Sequence, residues 1–195
     1  MSEAAERTGK LAKNPDAIAT WANAITVGRI LVAPVLFGMI PDLGGSWPAT
    51  VVWVLLCGSD GIDGWLARRH GATRSGAFLD PLADKVLVLG AMFTLVANDV
   101  FWWLPVALIA GREVTISLYR TVAGAKGVTV PAKRLAKLKT VAQQLAVGFA
   151  LLPLTHYHRW VWNSWLWAAV ALTVVTGIQY LLAARRVARD QLRAA

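Results

Sequence analysis

Six apolar stretches, each of about the 20 residues that a helix needs to cross hydrocarbon, follow one another through this chain. They cover residues 22–40, 47–67, 80–97, 101–123, 138–154 and 160–184. Hydrocarbon leaves backbone amides no water to bond, so a spanning segment must satisfy them internally as a helix. Of 195 residues, 56% are hydrophobic and ten are tryptophan, a composition that suits a compact helical membrane protein better than a soluble domain of this length. The expected fold is therefore an all-α integral membrane protein, a bundle of six transmembrane helices.

The net charge of +9 raises nucleic acid as a partner, but the placement of the charges argues against it. Arg7, Lys10, Lys13 and Arg29 lie before or early in the first stretch. Arg68, Arg69, Arg74 and Lys85 surround the second connection, and Arg112, Arg120, Lys126, Lys133, Arg134, Lys137 and Lys139 belong to the fourth or its flanks. Arg185, Arg186, Arg189 and Arg193 end the chain, which leaves Arg159 alone towards the other side. Such asymmetry puts both termini in the cytoplasm, and an even number of spans agrees. Trp47, Trp53, Trp102, Trp103, Trp160, Trp162, Trp165 and Trp167 gather towards the opposite side, as an interfacial aromatic belt does. The basic side is expected to hold anionic membrane lipids; no basic motif interleaved with aromatic residues suggests nucleic acid.

The chain reads as one domain. Residues 1–21 form a cytoplasmic juxtamembrane segment, in which 12–21 have the pattern of a short amphipathic surface helix. Residues 22–184 form the bundle, and 185–195 a basic cytoplasmic tail. The first 15 residues lack an apolar core followed by a small-residue cleavage site, so no cleaved signal peptide is expected. The one cysteine, Cys57, lies within an apolar run and builds no disulfide framework.

Against this background four aspartates stand out. Asp60 and Asp63 are three residues apart, and Asp80 and Asp84 are four apart, so on helices each pair shares a face. A short connection between the second and third stretches makes them antiparallel neighbours and lets the two pairs converge at one depth. Four carboxylates there repel unless cations intervene. Two divalent ions would balance the charge, and with no His or Cys in the cluster the all-oxygen ligand set points to Mg²⁺ or Mn²⁺. Two metals bridged by carboxylates serve displacement at phosphorus. The plainer reading pairs the acids with Arg68, Arg69, Arg74 and Lys85 as buried salt bridges. Ionisable residues in spans are, however, functional by default. Gly64 and Ala67 leave room for close approach along the same face, and Arg68 offers a planar fork for phosphate.

The string Asp60-x-x-Asp63-Gly64-x-x-Ala67-Arg68, then Gly76-x-x-x-Asp80-x-x-x-Asp84, resembles the signature of the CDP-alcohol phosphatidyltransferases. Seven residues separate Arg68 from Gly76, where that family usually has eight or more. The segments "ANAITVGRILVAPVLF", "GREVTISLYRTVAGAKGV" and "AKLKTVAQ" are similar to the bacterial branch that uses glycerol 3-phosphate, although Ala136 replaces a usual glycine. The resemblance implies an enzyme of the inner (cytoplasmic) membrane, with its site facing the cytoplasm and a homodimeric assembly. It implies CDP-diacylglycerol as donor, held by Asp60, Gly64, Ala67, Arg68, Thr73 and Gly76. Asp60, Asp63, Asp80 and Asp84 would hold two Mg²⁺ or Mn²⁺ ions, with Asp84 also the candidate general base.

Arg112 and Arg120 are two turns apart on one face, and Lys137 and Lys139 open the fifth stretch. Together the four are candidates for binding the acceptor's phosphate. A structural Arg112–Glu113 link between helices is the alternative for that pair, and snorkelling for Lys126, Lys133 and Arg134. Other acceptors remain open: inositol phosphate, serine, or phosphatidylglycerol. A membrane prenyltransferase would want its acidic motifs farther apart, and an ion transporter would distribute its acids across the membrane depth.

Overall fold

The computed structural model describes the backbone of residues 21–42, 44–70, 74–125, 134–155 and 157–194, and side chains over 24–42, 44–59, 81–119, 135, 137–155 and 157–182. The amphipathic segment expected over 12–21 lies outside the described residues, apart from Trp21. So does most of the polar connection that includes Lys126 and Lys133. Six α-helices make up the described chain: α1 (Trp21–Gly38), α2 (Trp47–His70), α3 (Arg74–Ala97), α4 (Trp103–Ala125), α5 (Arg134–Leu151) and α6 (Arg159–Ala194). A short 3₁₀ turn, Pro153–Thr155, precedes α6. No strand occurs among the described residues.

The helices match the six apolar runs in order, with two extensions. α3 begins at Arg74 and α6 continues through the terminal arginines to Ala194. The α6 addition is polar and the α3 addition opens with Arg74, Ser75 and Gly76; backbone hydrogen bonding carries a helix past the end of its apolar run. At about 1.5 Å per residue, the 36 residues of α6 are about 54 Å long.

α1 packs against both α2 and α3, α5 lies along α6 and touches α2 and α3, and α4 sits between α3 and α6. Each helix buries a stripe at three- and four-residue spacing, such as Leu87, Ala91 and Leu95 on α3 or Ala142, Ala146 and Ala150 on α5, the spacing that marks one helical face. Small residues bring helices close. Phe37 of α1 lies over Gly90 of α3, where a Cβ would overlap its ring, and Gly148 of α5 faces the Trp53 indole of α2. The outside is apolar too: Leu31, Leu55, Phe93, Leu118 and Leu181 are all exposed. Water penalises so large an apolar surface, whereas hydrocarbon accepts it. Arg159–Leu182, with mean hydropathy 1.6, is long and apolar enough to cross a membrane, and Ala24–Gly38 and Trp47–Ser59 are shorter apolar segments.

One end of the bundle is stitched together by its loops. Gly44 and Gly45 both adopt φ 73°, a backbone state that costs glycine nothing. The turn they form runs against the end of α5. Gly45 N donates to Ala150 O at 3.2 Å and Ser46 N to Leu151 O at 2.8 Å. The Thr50 hydroxyl reaches the same Leu151 carbonyl at 2.7 Å, and Ser46 Oγ caps α2 through Ala49 N at 3.3 Å. These bonds satisfy carbonyls that the last turn of α5 leaves open. Asn98, just past α3, donates to Ile40 O at 2.9 Å. The aspartate motif lies at the other end.

Candidate active site

α2 carries Asp60 and Asp63 in its last turns, and α3 carries Asp80 and Asp84 in its first. α2 stops at His70 and α3 starts at Arg74, so the connecting chain spans at most about 14 Å. Both helices lie on α1. Counting from those adjoining ends at about 1.5 Å per residue, Asp63 and Asp80 both sit about 10 Å in, and Asp60 and Asp84 both about 15 Å. The two pairs therefore lie at matching distances from the adjoining helix ends. Pro81 directly follows Asp80 inside α3; with no N–H it removes one helical bond there. Of the four aspartates only Asp84 has a described side chain, and it is half-buried. The side chains of Asp60, Asp63, Gly64, Ala67, Arg68, Gly76, Asp80 and Arg120, and the whole of Thr73, lie outside the described residues.

Beside the motif stands a group that sequence reasoning left out of the site. Arg29 of α1 is only 2% exposed, and its Nε donates to Ser59 Oγ at 3.3 Å, immediately before Asp60. Ser59 in turn donates to Leu56 O at 2.7 Å. A buried guanidinium thus lies against the helix that carries the first acidic pair. Its signal in the sequence was plain: a single arginine within an apolar run.

A second buried cluster joins α3, α4, α5 and α6. Lys85, next to Asp84, donates to Ser117 Oγ on α4, and Ser117 donates to the Glu113 carbonyl at 2.6 Å. The Glu113 carboxylate, 7% exposed, takes Arg112 Nη1 at 3.1 Å and forms an ion pair with Lys139 of α5. Arg112 Nη2 donates to Thr176 Oγ1 of α6 at 3.1 Å. Glu113 is therefore the hub that holds Arg112 and Lys139 together; the Arg112–Glu113 bond itself lies within α4, and the links between helices run from Glu113 to Lys139 and from Arg112 to Thr176. Lys139 is 5% exposed whereas Lys137 is exposed. Two residues on a helix turn through about 200°, so these lysines point to different sides. Arg120 lies two turns beyond Arg112 on α4.

Three polar atoms of this cluster have no partner among the described residues: Arg112 Nε, Gln143 Nε2 and Thr173 Oγ1. Gln143, 4% exposed, is one turn along α5 from Lys139, and Thr173, 1% exposed, is one turn before Thr176. Buried polar groups are nearly always satisfied, so three together mark a place suited to water or a polar ligand.

These two features, aspartate pairs at the adjoining ends of α2 and α3 and a buried cation cluster beside Asp84, suit an enzyme that handles phosphate esters, and the apolar exterior suits a membrane. The chain belongs to the CDP-alcohol phosphatidyltransferase family, whose profile matches residues 19–175. That match takes in α1 to α5 and about half of α6, including both features. It is 38% identical over 176 residues to a probable phosphatidylglycerophosphate synthase of Mycobacterium tuberculosis, covering 87% of this chain and 83% of that protein. It is also 35% identical over 174 residues to the CDP-diacylglycerol–glycerol-3-phosphate 3-phosphatidyltransferase of Shigella flexneri. With the Escherichia coli protein of that name the identity is 34% over the same length, in each case 86% of this chain and 96% of the relative.

Proposed function

We propose that this enzyme transfers the phosphatidyl group of CDP-diacylglycerol to glycerol 3-phosphate, giving phosphatidylglycerophosphate and CMP. The observation that carries this reading is the adjacency of the two features. The aspartate pairs lie at matching distances from the adjoining ends of α2 and α3, and Lys85, directly after Asp84, ties α3 to the cluster of Glu113, Arg112 and Lys139. A donor pyrophosphate and a phosphorylated acceptor together need such a combination. The names of the relatives support this choice of acceptor.

In this reading the acceptor's phosphate lies against Lys139 and Arg112, with Arg120 two turns further along α4, while Lys137, on another side of α5, adds positive charge nearby without touching it. Gln143 and Thr173 offer unfilled hydrogen-bonding capacity to its glycerol. Gly64 and Ala67 leave room for the cytidine, while Arg68, Thr73 and Gly76 hold the nucleotide phosphates and loop. Asp84 takes the acceptor hydroxyl's proton. The freed oxygen bonds to the lipid-linked phosphorus as the bond to the bridging oxygen breaks, and CMP departs with that oxygen. Asp60, Asp63, Asp80 and Asp84 form an all-oxygen donor set suited to two Mg²⁺ or Mn²⁺ ions. When bound, such ions offset charge on the carboxylates and on the pyrophosphate.

The same proposal places six spans in the inner membrane of a bacterium, with both termini and the aspartates on the cytoplasmic side, and the enzyme working as a homodimer. The one-sided distribution of lysine and arginine supports the orientation, and the six apolar runs of the sequence support the span count.

Purified protein supplied with CDP-diacylglycerol and a panel of alcohols tests the reaction by CMP release and by the lipid formed. Glycerol 3-phosphate should be the preferred acceptor. Faster turnover with inositol phosphate, serine or phosphatidylglycerol would reassign it.

A further inference from the structure

At the end of the bundle away from the aspartates, the turn after α3 and the start of α6 enclose a cleft of about 580 Å³. Small-ligand pockets span roughly 300–1,000 Å³. Its charged side chains are Asp99 and Arg159, and three of its walls are Trp102, Trp160 and Trp162. Among the described residues neither charged side chain has a partner, nor do the two pair with each other. Trp162 forms a buried floor, its ring 5.4 Å from that of Phe101, while Trp102 and Trp160 stand exposed.

Asp99 adopts φ 55°, the left-handed state in which glycine or asparagine is the easier choice. Its conformation is fixed by the turn that closes α3, where Asp99 N donates to Val96 O at 3.1 Å and Val100 N to Leu95 O at 2.9 Å. These two bonds are those of a Schellman end to α3, which calls for a left-handed residue at this position and holds the Asp99 carboxylate in place beside the cleft.

One cleft thus holds an unpaired anion, an unpaired cation and exposed indole faces. A guanidinium fork is matched to phosphate oxygens. A carboxylate accepts hydrogen bonds from an ammonium, and an indole face attracts the same group. Tryptophans of this kind sit at the headgroup level of a bilayer. We infer that this cleft binds a zwitterionic phospholipid headgroup bearing a primary ammonium, of the phosphoethanolamine type, from the leaflet away from the aspartate motif. Arg159 takes its phosphate, and Asp99 with the indoles takes its ammonium. An anionic headgroup satisfies Arg159 but meets the Asp99 carboxylate. A quaternary ammonium gains the indoles but has no N–H for Asp99. The inference rests on the bundle spanning the bilayer, and on neither the acceptor nor the metals.

Native mass spectrometry of the full chain tests it, in micelles supplied with equal amounts of phosphatidylethanolamine, phosphatidylcholine and phosphatidylglycerol. The unaltered protein should retain phosphatidylethanolamine severalfold more than phosphatidylglycerol. Asp99→Asn keeps a residue that tolerates the left-handed backbone and should bring that ratio close to one; Arg159→Gln should lower retention of both lipids. CMP release, which depends on the other end of the bundle, should be unchanged in both variants. Retention of phosphatidylethanolamine no greater than that of phosphatidylglycerol or of phosphatidylcholine by the unaltered protein would overturn the assignment, whatever the variants do. So would a preference that survives both substitutions.

Discussion

Replacing Glu113 with leucine should unfold this protein more readily than any substitution of the groups it binds. The carboxylate is almost fully buried and holds both Arg112 and Lys139. Without it, the Lys139 ammonium is left buried with no counter-charge. Breaking a buried pair in this way typically costs about 3–5 kcal/mol. Lys139→Met is milder, because Glu113 keeps Arg112 at 3.1 Å; the loss there is that of one charged hydrogen bond, about 1.5–3 kcal/mol. The double variant, Glu113→Leu with Lys139→Met, removes the Lys139 charge with its counter-charge and leaves one cation, Arg112, without the carboxylate instead of two. Apolar replacement of a buried pair is often neutral, and the remaining Arg112 is less buried than Lys139 and retains Thr176. Stability should therefore rise above that of Glu113→Leu alone. Thermal unfolding in detergent reads this out, since at about 2–4 °C per kcal/mol for a chain of this size the Glu113→Leu shift is on the order of 10 °C. The double variant should fold yet show a raised KM for glycerol 3-phosphate, with that for the liponucleotide little changed. A double variant no more stable than Glu113→Leu would refute the assignment of Glu113 as the counter-charge of Lys139.

Asp63→Asn and Asp80→Asn should each lower CMP release by orders of magnitude without changing the unfolding temperature by more than a few degrees, and a chelator should stop the unaltered enzyme; full activity in either variant defeats the two-ion site. Asp84→Asn should stop transfer more completely than it weakens nucleotide binding, and restoration of its rate by excess Mn²⁺ would make Asp84 a ligand and not the base. Gly90→Ala puts a methyl group into the Phe37 ring and should cost about 1–3 kcal/mol, the usual penalty for overpacking. Adding Phe37→Leu should recover part of that loss, which unfolding of the three variants in parallel would show.

How far the sequence could be read differs between fold and site. The helices were legible because hydrophobic runs of the right length have few other uses, and Gly44, Gly45 and Pro153 fall in their connections. The ends were harder. Residues 185–194 look polar and residues 74–79 open with Arg74, Ser75 and Gly76, yet both are helical because a break in an apolar run does not end the hydrogen-bond ladder. In the site, the aspartates announce themselves by spacing alone. Lys137 and Lys139 look equivalent in a string, and only a helix rotation of about 200° separates the buried one from the exposed one. Arg29 was visible as an arginine among apolar residues, but its proximity to Ser59 is a matter of α1 crossing α2, which no local pattern encodes. The same holds for Glu113, whose partner Lys139 lies 26 positions away.

The stitches at the closed end bear on how such a chain is made. Ser46 and Thr50, at the start of α2, bond to the carbonyl of Leu151, and for Thr50 that partner is 101 residues later in the chain. At a synthesis rate of about 5–20 residues per second, α5 follows α2 out of the ribosome by about 5–20 seconds. For that interval the amide of Ser46 must bond water at the membrane surface or some temporary neighbour, because its final acceptor has not been synthesised. Insertion can therefore proceed helix by helix, but the start of α2 reaches its native bonding only when the fifth helix arrives. Truncated chains released after α3 or α4 should, for that reason alone, be ready substrates for quality-control proteolysis at the loop before Trp47.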